Sequence, residues 1–218
     1  MTEVALVDYG AGNLVSIGHA LETVGATVRV ARRPDDLAEA DAVVVPGVGA
    51  SGPAMARLRR QGLVVGIVDA IDRGAWYLGI CLGLQLLFER SDEDGARMLG
   101  LIEGRVALIP DAPRLPHIGW NRVEAVRPHP LLDGMPPGAP AYFVHSFVGR
   151  PADPVAVIAE TEHGGRFASV VADGRLLGTQ FHPERSGADG LRLLARFLTL
   201  VDGRAASPAL AATGSAVV

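Results

Sequence analysis

At 218 residues, with 49% hydrophobic and 20% charged side chains, the chain is long enough for one domain with a sizeable core and too apolar to be disordered. Its 20 basic against 24 acidic residues leave a net charge of −4, a poor match for a nucleic-acid or anionic-membrane binder. A single cysteine excludes a disulfide framework and any multi-cysteine zinc or iron–sulfur site. The absence of a basic-then-apolar leader and of any membrane-length apolar run makes the expectation a cytoplasmic protein.

Val4–Asp8 reads as a strand, followed by a glycine-rich turn and a helix from about Ser16 to Val24. Thr27–Ala31 is a second strand, and Asp41–Val45 is a near-continuous apolar run ending in Pro46-Gly47. Such runs mark strands buried on both faces. Gly52–Ile71 carries helical periodicity, and Trp76–Ile80 is a further buried strand running into Cys81. This rhythm predicts an α/β, doubly wound sheet flanked by helices, flavodoxin-like in plan. The second half is strand-rich, at Gly104–Ile109, Asn121–Val126, Ala141–Val148, Val155–Glu160, Phe167–Ala172 and Leu176–Gln180. That pattern predicts antiparallel additions that make the sheet mixed. An amphipathic helix spans about Gly187–Val201, and 204–218 reads as a frayed, disordered tail after a domain of 1–203.

Cys81 lies in GICLGLQ, after an apolar strand and before a helical pattern. This is the order of a nucleophile elbow, where glycines two before and two after the nucleophile let backbones crowd together. A helix N-terminus beneath a thiol favours the thiolate. A free cysteine in an apolar stretch is more often a core residue; the pair Gly79 and Gly83 shifts the balance toward a nucleophile.

Among six histidines, no two lie within four residues of each other, so no helical metal pair exists and no metal is expected. His182, in TQFHPE, ends an apolar strand, where sheet edges build active sites. Pro183 keeps it extended, and Glu184 is placed to hold its tautomer and stabilise the imidazolium. His145, in YFVHSF, alternates within a strand and reads as structural or as part of a rim. PGVG, Pro46 to Gly49, closes a strand before Cys81 and, with the amide of Leu82, could supply an oxyanion hole.

Together, Gly79-x-Cys81-x-Gly83-x-Gln85 and His182-Pro183-Glu184, about a hundred residues apart, resemble the motifs of the class I (triad) glutamine amidotransferases, from about Val4 to about Val201. DYGAGNL (Asp8 to Leu14), PGVG, PHIGWN (Pro116 to Asn121) and YFVHSF (Tyr142 to Phe147) are similar to the branch of that family that serves imidazole glycerol phosphate synthase. The resemblance implies a Cys81–His182–Glu184 triad acting on L-glutamine without a cofactor, an oxyanion hole at Gly49 and Leu82, and substrate contacts from Gln85, Glu93 and Ser146. Gln85 lies one helical turn past Cys81, so its proximity also follows from spacing. The resemblance further implies a heterodimer with a separate (β/α)₈-barrel cyclase subunit that receives the ammonia, with Trp120 and Asn13 at the interface. The glycines of PGVG would allow a peptide flip set by docking of that partner. A glutaminase for another synthase, a stand-alone cysteine hydrolase and an inactive member of the same fold stay open as alternatives.

Overall fold

The computed structural model describes residues 1–109 and 111–203; the tail expected over 204–218 lies outside the described residues. The buried apolar runs form the parallel half of a nine-stranded sheet. β1 (Glu3–Val7) lies between β2 (Thr27–Ala31) and β3 (Ala42–Gly47), and β3 pairs in parallel with β4 (Trp76–Cys81). Every residue of β3 is buried, as its unbroken apolar sequence requires of a strand covered on both faces. Alternation along β1 divides the core. Val4 and Leu6 pack with Ile17 and Leu21 of α1 (Leu14–Thr23) and with Leu194 and Phe197 of α5 (Gly187–Val201). Ala5 and Val7 pack on the other face with Met55 and Leu58 of α2 (Ser51–Arg60) and Ile67 of α3 (Leu63–Asp72).

The single helix expected over Gly52–Ile71 is two helices. Gly62 takes a left-handed conformation (φ 71°) that ends α2 and redirects the chain, and apolar periodicity on both sides conceals the break.

The second half extends the sheet as expected. β12 (Leu176–Thr179) joins β4 in parallel, and β11 (Arg166–Asp173), β10 (Val157–Glu162), β7 (His117–Ala125) and β8 (Ala139–His145) follow antiparallel. The strand expected over Ala141–Val148 is interrupted at Ser146. Beyond it, β9 (Phe147–Pro151) leaves the main sheet and pairs with β6 (Gly104–Leu108) and, across it, β5 (Arg90–Ser91), in a separate three-stranded sheet. No helix among the described residues is long and apolar enough to cross a membrane.

Candidate active site

β3, β4 and β12 run in parallel, so their carboxyl ends lie side by side, and the chain leaves them at PGVG, Cys81 and His182. This edge of an open α/β sheet is where ligand sites form. Cys81 sits at φ 55° and ψ −109°, a conformation of order 1–3 kcal/mol above the ordinary minima that only surrounding structure can hold. The elbow is clamped from below. A Cβ on Gly83 would lie 1.7 Å from the Val45 carbonyl oxygen, and one on Gly79 2.4 Å from the Gly83 backbone. The buried Tyr77 hydroxyl donates to the Gly83 carbonyl at 2.8 Å. The helix after Cys81, read from LGLQLLFE as several turns, is only α4 (Leu82–Gln85), a single turn. Its first amides receive no side-chain cap, which leaves the Leu82 N–H available to a ligand.

Cys81 opens onto a cavity of about 340 Å³ whose wall includes Gly49, Leu82, Gln85, Glu93 and Ser146. Every residue expected to hold substrate or an oxyanion therefore meets the nucleophile in one space, of a size suited to a small metabolite. A larger open groove of about 760 Å³ on the three-stranded sheet is lined by Arg90, Arg105 and Arg150 among others, but by no cysteine or histidine.

His182 and Glu184 do not line the Cys81 cavity, but His182 interacts with the Cys81 side chain. His182 Nδ1 and Glu184 Oε1 are 2.9 Å apart, and both side chains are buried. The strap carrying them is tied to β8: the His182 N–H donates to the Tyr142 carbonyl at 3.0 Å, and the Ser186 hydroxyl, which donates to the His182 carbonyl at 2.6 Å, accepts from the Tyr142 N–H at 3.0 Å. His182 Nε2 is buried without a partner in ordinary hydrogen-bond geometry. Burial alone would depress the imidazole; interaction with the Cys81 side chain and with Glu184 outweighs it and pushes the pKa up to about 10. An aligned thiol–imidazole bond is often completed only when substrate is present.

Glu93 is raised above its ordinary value, first by partial burial and then by the neighbouring Asp94, with a backbone hydrogen bond from Ser51 opposing both. A bound cation would relieve that strain. Gln85 donates through Nε2 to the Phe147 carbonyl at 2.7 Å and to Gln180 Oε1 at 3.1 Å. Both amide hydrogens are thus used, and its carbonyl oxygen is the part left to accept from a ligand. The Ser146 carbonyl accepts from the Ile109 N–H at 3.0 Å, so contact to a ligand falls to the Ser146 N–H or hydroxyl.

One residue beside the thiol was not foreseen in its role. Gln180 is fully buried and donates to Cys81 Sγ at 3.7 Å; its signal is an amide in the otherwise apolar run LLGTQF, where a polar group needs a partner. His145, read from the sequence as structural or as part of a rim, is buried and lines the cavity. Burial, then the neighbouring His117, hold it down to about 3, against a favourable contact with the Phe147 carbonyl. Burial and His163 hold His117 down to about 4. The imidazoles near the thiol are therefore driven in opposite directions, His182 toward the protonated form and His145 and His117 toward the neutral one.

Trp120 is 60% exposed and packs edge-on against Tyr142. With Ile118, 62% exposed, it shares the face of β7 that pairs across to Tyr142 and Val144 of β8, an apolar surface continuous with the cavity wall at Val144. Asn13 is exposed and caps α1, its Oδ1 accepting from the Ser16 N–H at 3.2 Å; it does not line the cavity. No group of three or more potential metal ligands occurs among the described residues.

A sequence profile described as "Glutamine amidotransferase class-I" matches residues 5–201. Curated proteins similar to this chain include "Imidazole glycerol phosphate synthase subunit HisH" of Symbiobacterium thermophilum, 48% identical over 92% of this chain and 95% of that protein. Those of Thermosynechococcus vestitus and Xylella fastidiosa, under the same name, are 47% and 46% identical, over 91% and 92% of this chain and 97% and 98% of theirs. Among solved structures, "Structure of PurLQS from Thermotoga maritima" superposes with a TM-score of 0.74 at 22% identity, covering 92% of this chain and 99% of that one. At that identity the likeness speaks to the fold.

Proposed function

Because the chain belongs to the class I glutamine amidotransferase family, we propose that it is the glutaminase subunit of an imidazole glycerol phosphate synthase, releasing ammonia from L-glutamine through a thioester on Cys81. The observation that carries this reading is the meeting of Cys81, Gln85, Glu93, Ser146, Gly49 and Leu82 in one cavity, with the His182–Glu184 pair interacting with the Cys81 side chain.

The Cys81 thiolate adds to the side-chain carboxamide carbon. The Leu82 amide and a backbone amide near Gly49 hold the oxyanion of the tetrahedral adduct. His182, oriented by Glu184, gives its proton to the departing nitrogen, leaving a glutamyl thioester and ammonia. It then takes a proton from water as the oxygen attacks the thioester; glutamate leaves and the thiol is restored. The free oxygen of Gln85 and the Glu93 carboxylate are two acceptors suited to the substrate ammonium, and Ser146 contacts the other end of the amino acid.

Residues 1–203 act as one amidotransferase domain, and a lone cysteine used as a thiolate suits the reducing cytoplasm. Ammonia passes to a separate (β/α)₈-barrel cyclase subunit docked on the apolar face of Ile118 and Trp120, with Asn13 toward the rim of that contact, in a heterodimer of the histidine biosynthetic pathway. The names of the similar proteins support the assignment, as does the exposure of two large apolar side chains on one strand face.

The test is to incubate the chain, alone and with the cyclase subunit, with a glutamine-analogue alkylator. One adduct on Cys81 and glutamate release from glutamine that rises when the cyclase binds are expected. Absence of labelling under both conditions would favour an inactive member of the fold.

A pH dependence follows from the His182 environment. His182 must carry a proton to release ammonia, so activity is expected to fall as the pH rises through about 10, where the imidazole loses it. Glu184→Gln removes one of the two groups holding that proton. The basic limb of the kcat/KM profile should move to lower pH and the maximum should drop by about 10²-fold or more. An unshifted basic limb would detach Glu184 from the imidazole.

A further inference from the structure

Two arms of hydrogen bonds converge on one backbone carbonyl near the thiol. The Phe147 carbonyl oxygen, which can only accept, lies 2.7 Å from Gln85 Nε2 and 3.1 Å from His145 Nδ1. On the first arm, Gln85 must turn its nitrogen to that oxygen. Its second hydrogen then points to Gln180, 3.1 Å away, which must present Oε1 and so turns its own N–H to Cys81 Sγ at 3.7 Å. On the second arm, His145 must carry its proton on Nδ1. As a neutral ring it has only a lone pair on Nε2, which faces His117 Nδ1 at 3.3 Å. His117 is therefore protonated on Nδ1, and its Nε2 accepts from Asn121 Nδ2 at 3.1 Å. Asn121 is fixed in turn, since Nδ2 also donates to the Glu162 carbonyl at 2.9 Å and Oδ1 accepts from the Arg122 N–H at 2.8 Å. Within each arm, no rotamer flip or tautomer change at one member is possible without breaking a bond at the next, and the two arms meet at the Phe147 oxygen, which accepts from both.

We propose that Gln180 is a positioning residue for the Cys81 thiol, aimed by Gln85, which the Phe147 carbonyl orients, while a second arm of donors from Asn121 through His117 and His145 converges on that same carbonyl and holds it in place. The imidazole arm starts on β7, on the strand whose opposite face exposes Ile118 and Trp120, and the amide arm ends at the sulfur. Neutrality of the two imidazoles is what gives their arm one direction: burial, with His163 beside His117 and His117 beside His145, keeps both uncharged near neutral pH. His163, stacked on His117 at 4.1 Å between ring centroids, and the Phe143 and Phe167 rings close the rest of that pocket. A protonated His145 could not accept from His117, and a His145 protonated on Nε2 alone would turn a lone pair against the Phe147 oxygen. Gln180 thus delivers to the sulfur a donor that the thiolate accepts, while His182 approaches as the proton carrier.

This inference rests on the amidotransferase reading only in treating Cys81 as the reactive thiol, and its test needs neither glutamine nor a partner. The chain has a single cysteine, so iodoacetamide incorporation into the full-length protein reports Cys81 alone. Gln180→Leu, close in volume and without a donor, is expected to slow alkylation about tenfold, the worth of one hydrogen bond to a charged acceptor. His117→Phe keeps the ring stacked on Phe143 and His163 but removes both nitrogens, and about threefold slowing is expected. His117→Asn, whose amide N–H can stand in for Nδ1–H, should recover most of that loss, which a purely structural role would not produce. In the unaltered chain, long-range proton–nitrogen spectra should find His117 and His145 neutral and protonated on Nδ1. Wild-type alkylation in Gln180→Leu, or an Nε2-protonated His145 in the unaltered chain, would overturn the proposal. Absence of glutaminase activity alongside slowed alkylation would count against the enzymatic reading and leave this one standing.

Discussion

Gly83→Ala is expected to destroy the fold, at a cost above about 4 kcal/mol, the range reached only by gross clashes or broken cores. The added methyl would stand 1.7 Å from the Val45 carbonyl oxygen, well inside contact distance. The oxygen cannot retreat, because Val45 is fully buried in β3, which is paired on one side with β1 and on the other with β4. Nor can the elbow rise: a Cβ at Gly83 has Val45 below it, while Gly79 already touches the Gly83 backbone from the side, and Tyr77 holds the Gly83 carbonyl. Gly18→Ala is the control. It lies within α1, where a Cβ meets only Leu6 Cδ2 at 3.8 Å, an ordinary contact, and alanine is the better helix former by about 0.8–1.0 kcal/mol. Urea titrations should therefore place the two glycine-to-alanine changes on opposite sides of the wild-type midpoint. A cooperatively folded Gly83→Ala with a midpoint near wild type would mean that the elbow is not clamped in this way.

That same crowding explains why the nucleophile was legible from sequence and much around it was not. Gly79, Cys81 and Gly83 follow a run of buried residues at a spacing that only a tight strand-to-helix turn explains, so local sequence carried the signal. His182 was legible because Pro183 and Glu184 constrain it from adjacent positions. The length of α4 was not, since LGLQLLFE satisfies helical periodicity whether or not the chain continues to wind; Leu86, Leu87 and Phe88 are fully buried without being helical. The break at Ser146 was hidden for a related reason: YFVHSFVG alternates well enough for one strand, and only pairing with β6 draws Phe147 onward into another sheet. The Gln180–Gln85–Phe147 junction joins three residues far apart in sequence, and no local pattern reports such a meeting. What a sequence can offer is the anomaly of a buried amide or imidazole that must find a partner.

Cys81→Ala is expected to abolish glutamine hydrolysis, by about 10⁴-fold or more, while leaving the fold and the binding of glutamine in place. The proposed reaction passes through a covalent bond to sulfur, and the remaining groups can orient a carboxamide but cannot form a thioester; losses of this order accompany removal of a nucleophile from a cooperating set. Binding should survive because the contacts assigned to the amino-acid end of the substrate, Gln85, Glu93 and Ser146, belong to other elements of the cavity wall, and Gln85 is held by the Phe147 carbonyl independently of the thiol. Stability should change little. Alanine at 81 keeps a Cβ at φ 55° and so inherits the same backbone strain, losing only the contacts of one sulfur atom. His182 then loses the Cys81 interaction that, with Glu184, keeps it protonated, and its titration should move down from about 10. Glutamate release measured beside glutamine binding by calorimetry separates the two effects, and proton–nitrogen spectra of His182 report the third. Turnover within tenfold of wild type in Cys81→Ala would place the chemistry on another group and remove the thioester from the mechanism.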